Sequence, residues 1–299
     1  MPNANGVARA LAAAAWALGG VAAAQRPAAQ PPVSPPGPAA GPGVLRVCAD
    51  PNNLPFSDRR GAGFENRIAA ELARGLGRRL AYYWWPERRG FARNTVSAGR
   101  CDLVVGVPAG YGFTLNTRPY YRSTYALVTR AERYPGLRAL DDPRLARLRV
   151  GVHYLGGKAV PPPVVALNAR HVPVHVVSYS IFGDYTDPDP PAALIRAVAR
   201  GDVDVAIAWG PLAGPLARRS PVALRVVPLP PGSGAPGQPL EFAVAAGVRR
   251  GDTALLAAVQ RVLDRRAGAI GRILDAYAVP RLALTSPPIP TPSSGAGTQ

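Results

Sequence analysis

The sequence predicts an α/β protein of two lobes, each a mostly parallel sheet flanked by helices. Three observations predict it. Short β-branched runs alternate with amphipathic stretches over residues 44–107, and such alternation means a parallel sheet with crossover helices. The pattern resets after residue 130 and starts a second set of strand–helix units. An apolar fraction of 47% in 299 residues is enough to bury one large core or two modest ones, and it excludes a wholly disordered chain.

Each element has a local reason. VLRVCAD (44–50) is β-branched and ends in the polar turn Pro51-Asn52-Asn53-Leu54-Pro55, so it reads as a buried strand opening into a loop. In GFENRIAAELARGLGRRL (63–80), Ile68, Leu72 and Leu76 recur every four residues as one helical stripe, with Gly77 as its stop. AYYWW (81–85) is an aromatic strand ended by Pro86. RGFARNTVSAGR (89–100) reads as a short helix, and CDLVVGV (101–107) as a strand. LRVGVHY (148–154), VPVHVVSY (172–179) and DVDVAIAW (202–209) are the strands of the second unit. Pro190 and Pro191 start the helix between the last two. LEFAVAAGV (240–248) is a further strand. Asp252 and Thr253 cap a long last helix with Leu255, Leu256, Val259, Val262, Leu263, Ile270, Ile273, Leu274 and Tyr277 on its buried face.

The N-terminus predicts export. Arg9 precedes an almost wholly apolar run at 10–24, about 15 residues long and short of the ~20 that span a bilayer. The run ends in Ala22-Ala23-Ala24 before Gln25, a small-x-small cleavage pattern. The expected organisation is a signal peptide at 1–24 and a Pro/Ala-rich linker at 25–43. Lobe 1 follows from 44–129 and 240–284, lobe 2 from 130–239, and a disordered tail covers 285–299. No membrane span is expected once the signal is removed.

The formal charge is +17, which invites a nucleic-acid reading. All but one of the 35 basic residues are arginine, however, and they are scattered in short pairs such as Arg88-Arg89. That imbalance, with 32 glycines and 35 prolines, is what a GC-rich coding sequence produces. No nucleic-acid partner is expected; a basic surface that docks an acidic protein is. His153, His171 and His175 lack metal-ligand spacing, and the two in HVPVHV fall on one side of a strand. Gly61-Ala62-Gly63 lacks the third glycine of a dinucleotide fingerprint, and no G-x-S-x-G elbow occurs. The expectation is no metal, no cofactor and no catalytic residue.

Several strings carry a resemblance. "LRVCADPNNLPFSD", "GFENRIAAEL", "AGRCDLVVGVPAGY" and "TRPYYRSTYALVTR", with the later pairing of "LRVGVHYLGG" and "ARGDVDVAIAW", resemble the type II periplasmic solute-binding fold over about 240 residues. Together with "WWPERRGFARNT", the strings resemble the quinoprotein-dehydrogenase-associated members of that fold, the MxaJ/XoxJ family of methanol oxidation. The resemblance implies a periplasmic accessory that binds a PQQ-dependent alcohol dehydrogenase, together with its cytochrome c, and assists its maturation or activation without catalysis of its own. The alternative is a periplasmic receptor of an ABC transporter for a small non-amino-acid ligand. An amino acid is disfavoured because the T-x-x-R grip for its carboxylate is replaced by Thr114-Leu115-Asn116-Thr117, with Arg118 displaced. No carboxylate follows the strand that ends at Trp209.

In that fold the cleft lies at the C-terminal strand ends. It would gather Asp50, Asn52, Asn53 and Phe56, then Trp85, Glu87, Arg88, Arg89 and Phe91, then Arg118, Tyr120 and Tyr121. Lobe 2 would add His153, Gly156, Gly157 and Trp209. This set is aromatic and cationic, suited to a planar anion or to an interface that locks the lobes. An enzyme would need a positioned acid and base, and Asp50 and Glu87 are the only carboxylates in the set. The docking surface is expected around Arg88, Arg89, Arg93, Tyr120, Tyr121 and Arg122. Export favours a disulfide between the two cysteines, Cys48 and Cys101. Their expected strand offset of about three residues, ~10 Å, opposes it unless a slip or bulge closes the gap.

Overall fold

The computed structural model describes residues 43–154, 156, 159–182 and 189–284. The expected signal peptide, the linker up to residue 42, Gly157 and the tail from 285 lie outside the described residues.

Lobe 1 starts with β1 (Val44–Ala49), whose Leu45 and Val47 are fully buried. Two two-residue strands follow, β2 (Asn52–Asn53) and β3 (Ser57–Asp58), paired as a small hairpin. Then come α1 (Phe64–Gly75), β4 (Arg79–Trp84), the single turn α2 (Phe91–Asn94) and β5 (Leu103–Pro108). β1 lies between β4 and β5, parallel to both. α1 buries Ile68, Ala69, Leu72 and Ala73 against this sheet. Gly77 adopts φ 64°, the left-handed turn that reverses the chain after the helix.

β6 (Leu115–Asn116) is short, and β7 (Tyr121–Arg130) is the strand the two lobes share. Its residues 121–124 pair with β12 (Glu241–Val248), which is antiparallel to β5. From Tyr125 onward it pairs with β10 (Val205–Trp209) and β11 (Leu224–Pro228). The sequence put the first crossing near Thr129; the pairing changes four residues earlier, between Thr124 and Tyr125.

Lobe 2 is β8 (Arg149–Tyr154), α3 (Pro162–Asn168), β9 (His175–Ser180), α4 (Ala193–Arg200), β10, α5 (Gly210–Arg218) and β11. β9, β8 and β10 are parallel neighbours. Two apolar clusters cover the two faces of this sheet, one around Leu194, Ala206 and Leu212, the other around Leu145, Val150 and Ile207. The chain closes in lobe 1 with α6 (Thr253–Ala276), capped by the Asp252 carboxylate on the Leu255 N–H at 3.0 Å. Of the residues expected on its buried face, Leu255, Val259, Val262, Leu263, Ile270 and Leu274 are buried, whereas Leu256, Ile273 and Tyr277 pack at its margin and are only partly buried.

The sequence reading did not include β7, α3, α5 and β11, nor the two-residue strands β2, β3 and β6. In α5 the residues GPLAGPLAR carry two prolines and two glycines, which read as punctuation. Packing overrides that. A Cβ at Gly214 would lie 2.0 Å from the Ala278 carbonyl, and one at Gly210 would lie 2.5 Å from that of Thr124. These glycines let the helix sit directly on the hinge. His171 also departs from expectation: it occupies a turn at φ 53° before β9, so it does not share a strand with His175.

The cysteine geometry is corrected as well. Cys48 pairs in register with Val104, three residues past Cys101, as the offset argument assumed. Cys101, however, precedes β5. The chain bends at Asp102, whose N–H donates to the Arg46 carbonyl at 2.9 Å. That bend brings the Cα atoms of Cys48 and Cys101 to 5.5 Å, and the two form a disulfide. It is buried among Tyr83, Phe91, Val96 and Val104.

Candidate functional site

A cavity of about 380 Å³ opens between the lobes at the C-terminal ends of β1, β5 and β10. The lobe 1 side is polar. Asp50, just past β1, is 6% exposed, and its two carboxylate oxygens accept the N–H groups of Asn52 at 2.8 Å and Glu87 at 2.7 Å. The Ser57 hydroxyl donates to the Asp50 carbonyl at 2.8 Å. One buried carboxylate therefore fixes both loops of the rim.

The same logic places α1. The Asn66 side chain accepts the N–H groups of Asp58 and Gly63 at 3.0 and 3.1 Å, closing the loop that leads into the helix. Gly63 passes so close to Phe56 that a Cβ would sit 1.9 Å from its carbonyl oxygen. The helix then begins with Phe64 in the core and Glu65 on the cavity wall. The Glu65 carboxylate meets β5 through one oxygen: a Cβ on Gly106 would lie 2.1 Å from its Oε1. Among the described residues this carboxylate has no hydrogen-bond partner.

Glu87 completes the acidic side. It is open to the cavity, and Asn53 Nδ2 donates to its Oε2 at 2.9 Å. It stands at the cavity mouth, solvent-accessible, and its neighbours account for the direction of its titration. Desolvation, then the Asp50 charge, raises its carboxyl to about 7. Desolvation, then the Glu87 charge, raises Glu65 to about 8.

The opposite side is apolar. Tyr125, Trp209 and Phe242 form a run of tilted rings with centroid spacings of 5.7 and 5.6 Å. Tyr121, Ile181, Phe182 and Pro190 extend it. Arg88 reaches across from lobe 1, its guanidinium 5.7 Å from the Phe182 ring centre.

Of the residues expected in the cleft, the structure brings Asp50, Asn52, Asn53, Phe56, Glu87, Arg88, Tyr121 and Trp209 together. Others sit elsewhere. Trp85 stacks on Tyr83, and Phe91 packs beside the disulfide. Tyr120 is turned inward, donating to the Val105 carbonyl at 3.0 Å. Arg89 is exposed, and Arg118 pairs with Asp264 at 2.8 Å on the outer surface. His153 is turned to the Pro191 carbonyl at 3.0 Å, and Gly156 is an exposed turn at φ 85°. The expectation of a cationic cleft is therefore corrected. Among the described residues three carboxylates and one guanidinium line it, and Arg89 and Arg118 are not in its lining. The sequence reading missed Glu65, Gly106, Tyr125, Phe182 and Phe242. Glu65 was the findable one: it lies in the first turn of a helix that starts at the strand ends where the cleft must lie. Among the described residues no group of three or more His, Cys, Asp or Glu is close enough to hold a metal ion, and no helix is long and apolar enough to cross a membrane.

Two α/β lobes joined by a shared strand around one cleft define a protein of the periplasmic-binding-protein fold. The crystal structure of the periplasmic binding protein XoxJ from Methylobacterium extorquens AM1 matches with 38% sequence identity and a TM-score of 0.65, covering 80% of this chain and 99% of that one. MxaJ from Methlophaga aminisulfidivorans shares the fold at 23% identity and a TM-score of 0.67, over 80% of this chain and all of that one. Protein MoxJ of Methylorubrum extorquens is 32% identical over 255 residues, 82% of this chain and 83% of that protein. The chain belongs to the MoxJ family. No protein-family model matches it.

Proposed function

We propose that this protein acts in the periplasm as a non-catalytic accessory of a PQQ-dependent alcohol dehydrogenase. It binds the enzyme, and with it the partner cytochrome c, transiently, and assists maturation or activation. The observation that carries the reading is membership of the MoxJ family over four-fifths of the chain. The export signal read at residues 1–24 supports it. So does the absence of an amino-acid grip, since Arg118 is committed to Asp264 outside the cavity. The test is deletion of the gene. Dehydrogenase activity should fall while solute uptake is unchanged. Full dehydrogenase activity with loss of uptake of one solute would replace this reading with that of a transport receptor, which the cavity of about 380 Å³ between the lobes favours.

A further inference from the structure

We propose that the cleft is a binding site for a small organic ammonium ion that carries no carboxylate, an alkyl- or arylalkylammonium. The inference is independent of the dehydrogenase reading. It rests on four features of the cavity.

The first is charge. In a chain of formal charge +17, the described residues place three carboxylates, Asp50, Glu65 and Glu87, around one cavity with a single guanidinium, Arg88. Once Glu65 and Glu87 are ionised, the described lining is acidic within a basic protein. Gathering carboxylates in one cleft is unfavourable, and desolvation together with the charge of a neighbouring carboxylate raises the titration of Glu65 and Glu87. A cation between them relieves both costs.

The second is the count of free acceptors. Both Asp50 oxygens are occupied by backbone N–H groups, so Asp50 serves as a support. One Glu87 oxygen takes Asn53. The other Glu87 oxygen and both Glu65 oxygens have no hydrogen-bond partner among the described residues, and Glu65 faces the cavity. Three open acceptors match the three donors of a primary ammonium.

The third is the apolar wall. Tyr125, Trp209 and Phe242 stand as adjacent rings opposite the carboxylates. They offer a cation–π face to the ammonium and a dry surface to the carbon skeleton. The fourth is size. About 380 Å³ lies at the low end of the ~300–1,000 Å³ typical of small-molecule sites, room for an amine with one ring or a short chain rather than a peptide. An amino acid fits less well, because its carboxylate would meet the acidic side and Arg118 is outside.

The test uses the purified full-length protein and four probes with one skeleton. They are 2-phenylethylammonium chloride, 2-phenylethanol, 3-phenylpropionate and phenylalanine, each titrated calorimetrically near pH 8.5 and checked by thermal shift. 2-Phenylethylammonium should bind and raise the melting temperature. 2-Phenylethanol and phenylalanine should bind at least about tenfold more weakly, and 3-phenylpropionate should not bind. E65Q and E87Q should each weaken the ammonium at least about tenfold, with circular dichroism and melting showing a folded protein, whereas R88Q should not weaken it. Equal binding of the alcohol would overturn recognition by charge. Binding of 3-phenylpropionate that R88Q abolishes would make the cleft an anion site. No binding of 2-phenylethylammonium at about 10 mM, enough to populate even a millimolar site, would also overturn the proposal. Dehydrogenase association is read by co-purification, so either idea can fail alone.

Discussion

The Asp50 carboxylate holds the Glu87 backbone N–H at 2.7 Å, so one buried acid positions the loop that presents a second. It does so while also accepting the Asn52 N–H, which ties the two rim loops to the end of β1. Removing the carboxylate leaves two enclosed N–H groups without their acceptor. D50A is expected to cost about 1–3 kcal/mol and to lower the urea midpoint accordingly. An unchanged midpoint would mean that water replaces the carboxylate freely.

Glu65 and Glu87 make the stability of the protein fall with rising pH. Glu65 is faced by Glu87, Tyr82, Tyr120 and Tyr121; Glu87 by Asp50, Asn53 and Tyr111. Both carboxyls titrate above their ordinary 4.5, near 8 and 7. Folding therefore favours their protonated forms. The stability this gives is fully present below 4.5 and is lost as pH rises through 7 and 8. Relative to wild type, E65Q and E87Q should gain melting temperature progressively between about pH 5 and 9. A difference independent of pH would show that burial does not hold these carboxyls protonated.

His153 works in the opposite direction. Burial holds its imidazole neutral and lowers it from 6.5 to about 4, with the Pro191 carbonyl opposing. The associated stability is present above 6.5 and is lost as pH falls toward 4, because the unfolded chain takes up the proton first. The loss amounts to at most about 3 kcal/mol. H153Q should flatten the acid limb of the melting profile while leaving stability above pH 7 within about 1 kcal/mol of wild type. An NMR titration of His153 with its midpoint near 6.5 would sink this account.

The cysteines show how far the sequence could be read. The strand position of Cys48 and the three-residue register were legible from β-branched runs, because side-chain period and crossover handedness constrain a parallel sheet. The bend at Asp102 was not, since it depends on where that N–H finds an acceptor across the sheet, on Arg46. The cleft divides in the same way. Asp50, Asn52, Asn53 and Trp209 follow from being at strand ends. Tyr125 and Phe242 belong to β7 and β12, whose antiparallel crossing at the hinge no local pattern announces. The elements α3 and α5 were hidden because proline and glycine, breakers in isolation, are tolerated where packing fixes the backbone. The disulfide closes a separation of 53 residues. In the chain-entropy view, C48A/C101A should therefore lose about 4 kcal/mol. Reductant should lower the melting temperature of wild type and leave the double variant unmoved.

The docking surface narrows once burial is known. Tyr120 and Tyr121 belong to the lobe 1 core, and Arg122 is held against Glu241 at 3.6 Å. Arg88 is turned into the cavity. Arg89 and Arg93 remain exposed on the rim after β4, with no carboxylate partner among the described residues. If the dehydrogenase docks there through acidic groups, the contact is a rim contact in water. Such charges act mainly on association rate and are screened by salt. R89E/R93E should slow association with the enzyme at least about fivefold at low salt, with little change in melting temperature. Raising salt toward about 1 M, where the Debye length is ~3 Å, should bring wild type and variant together. Association kinetics on immobilised dehydrogenase, measured across that salt range, decide it. Equal rates for the two proteins at low salt would move the docking site off this rim.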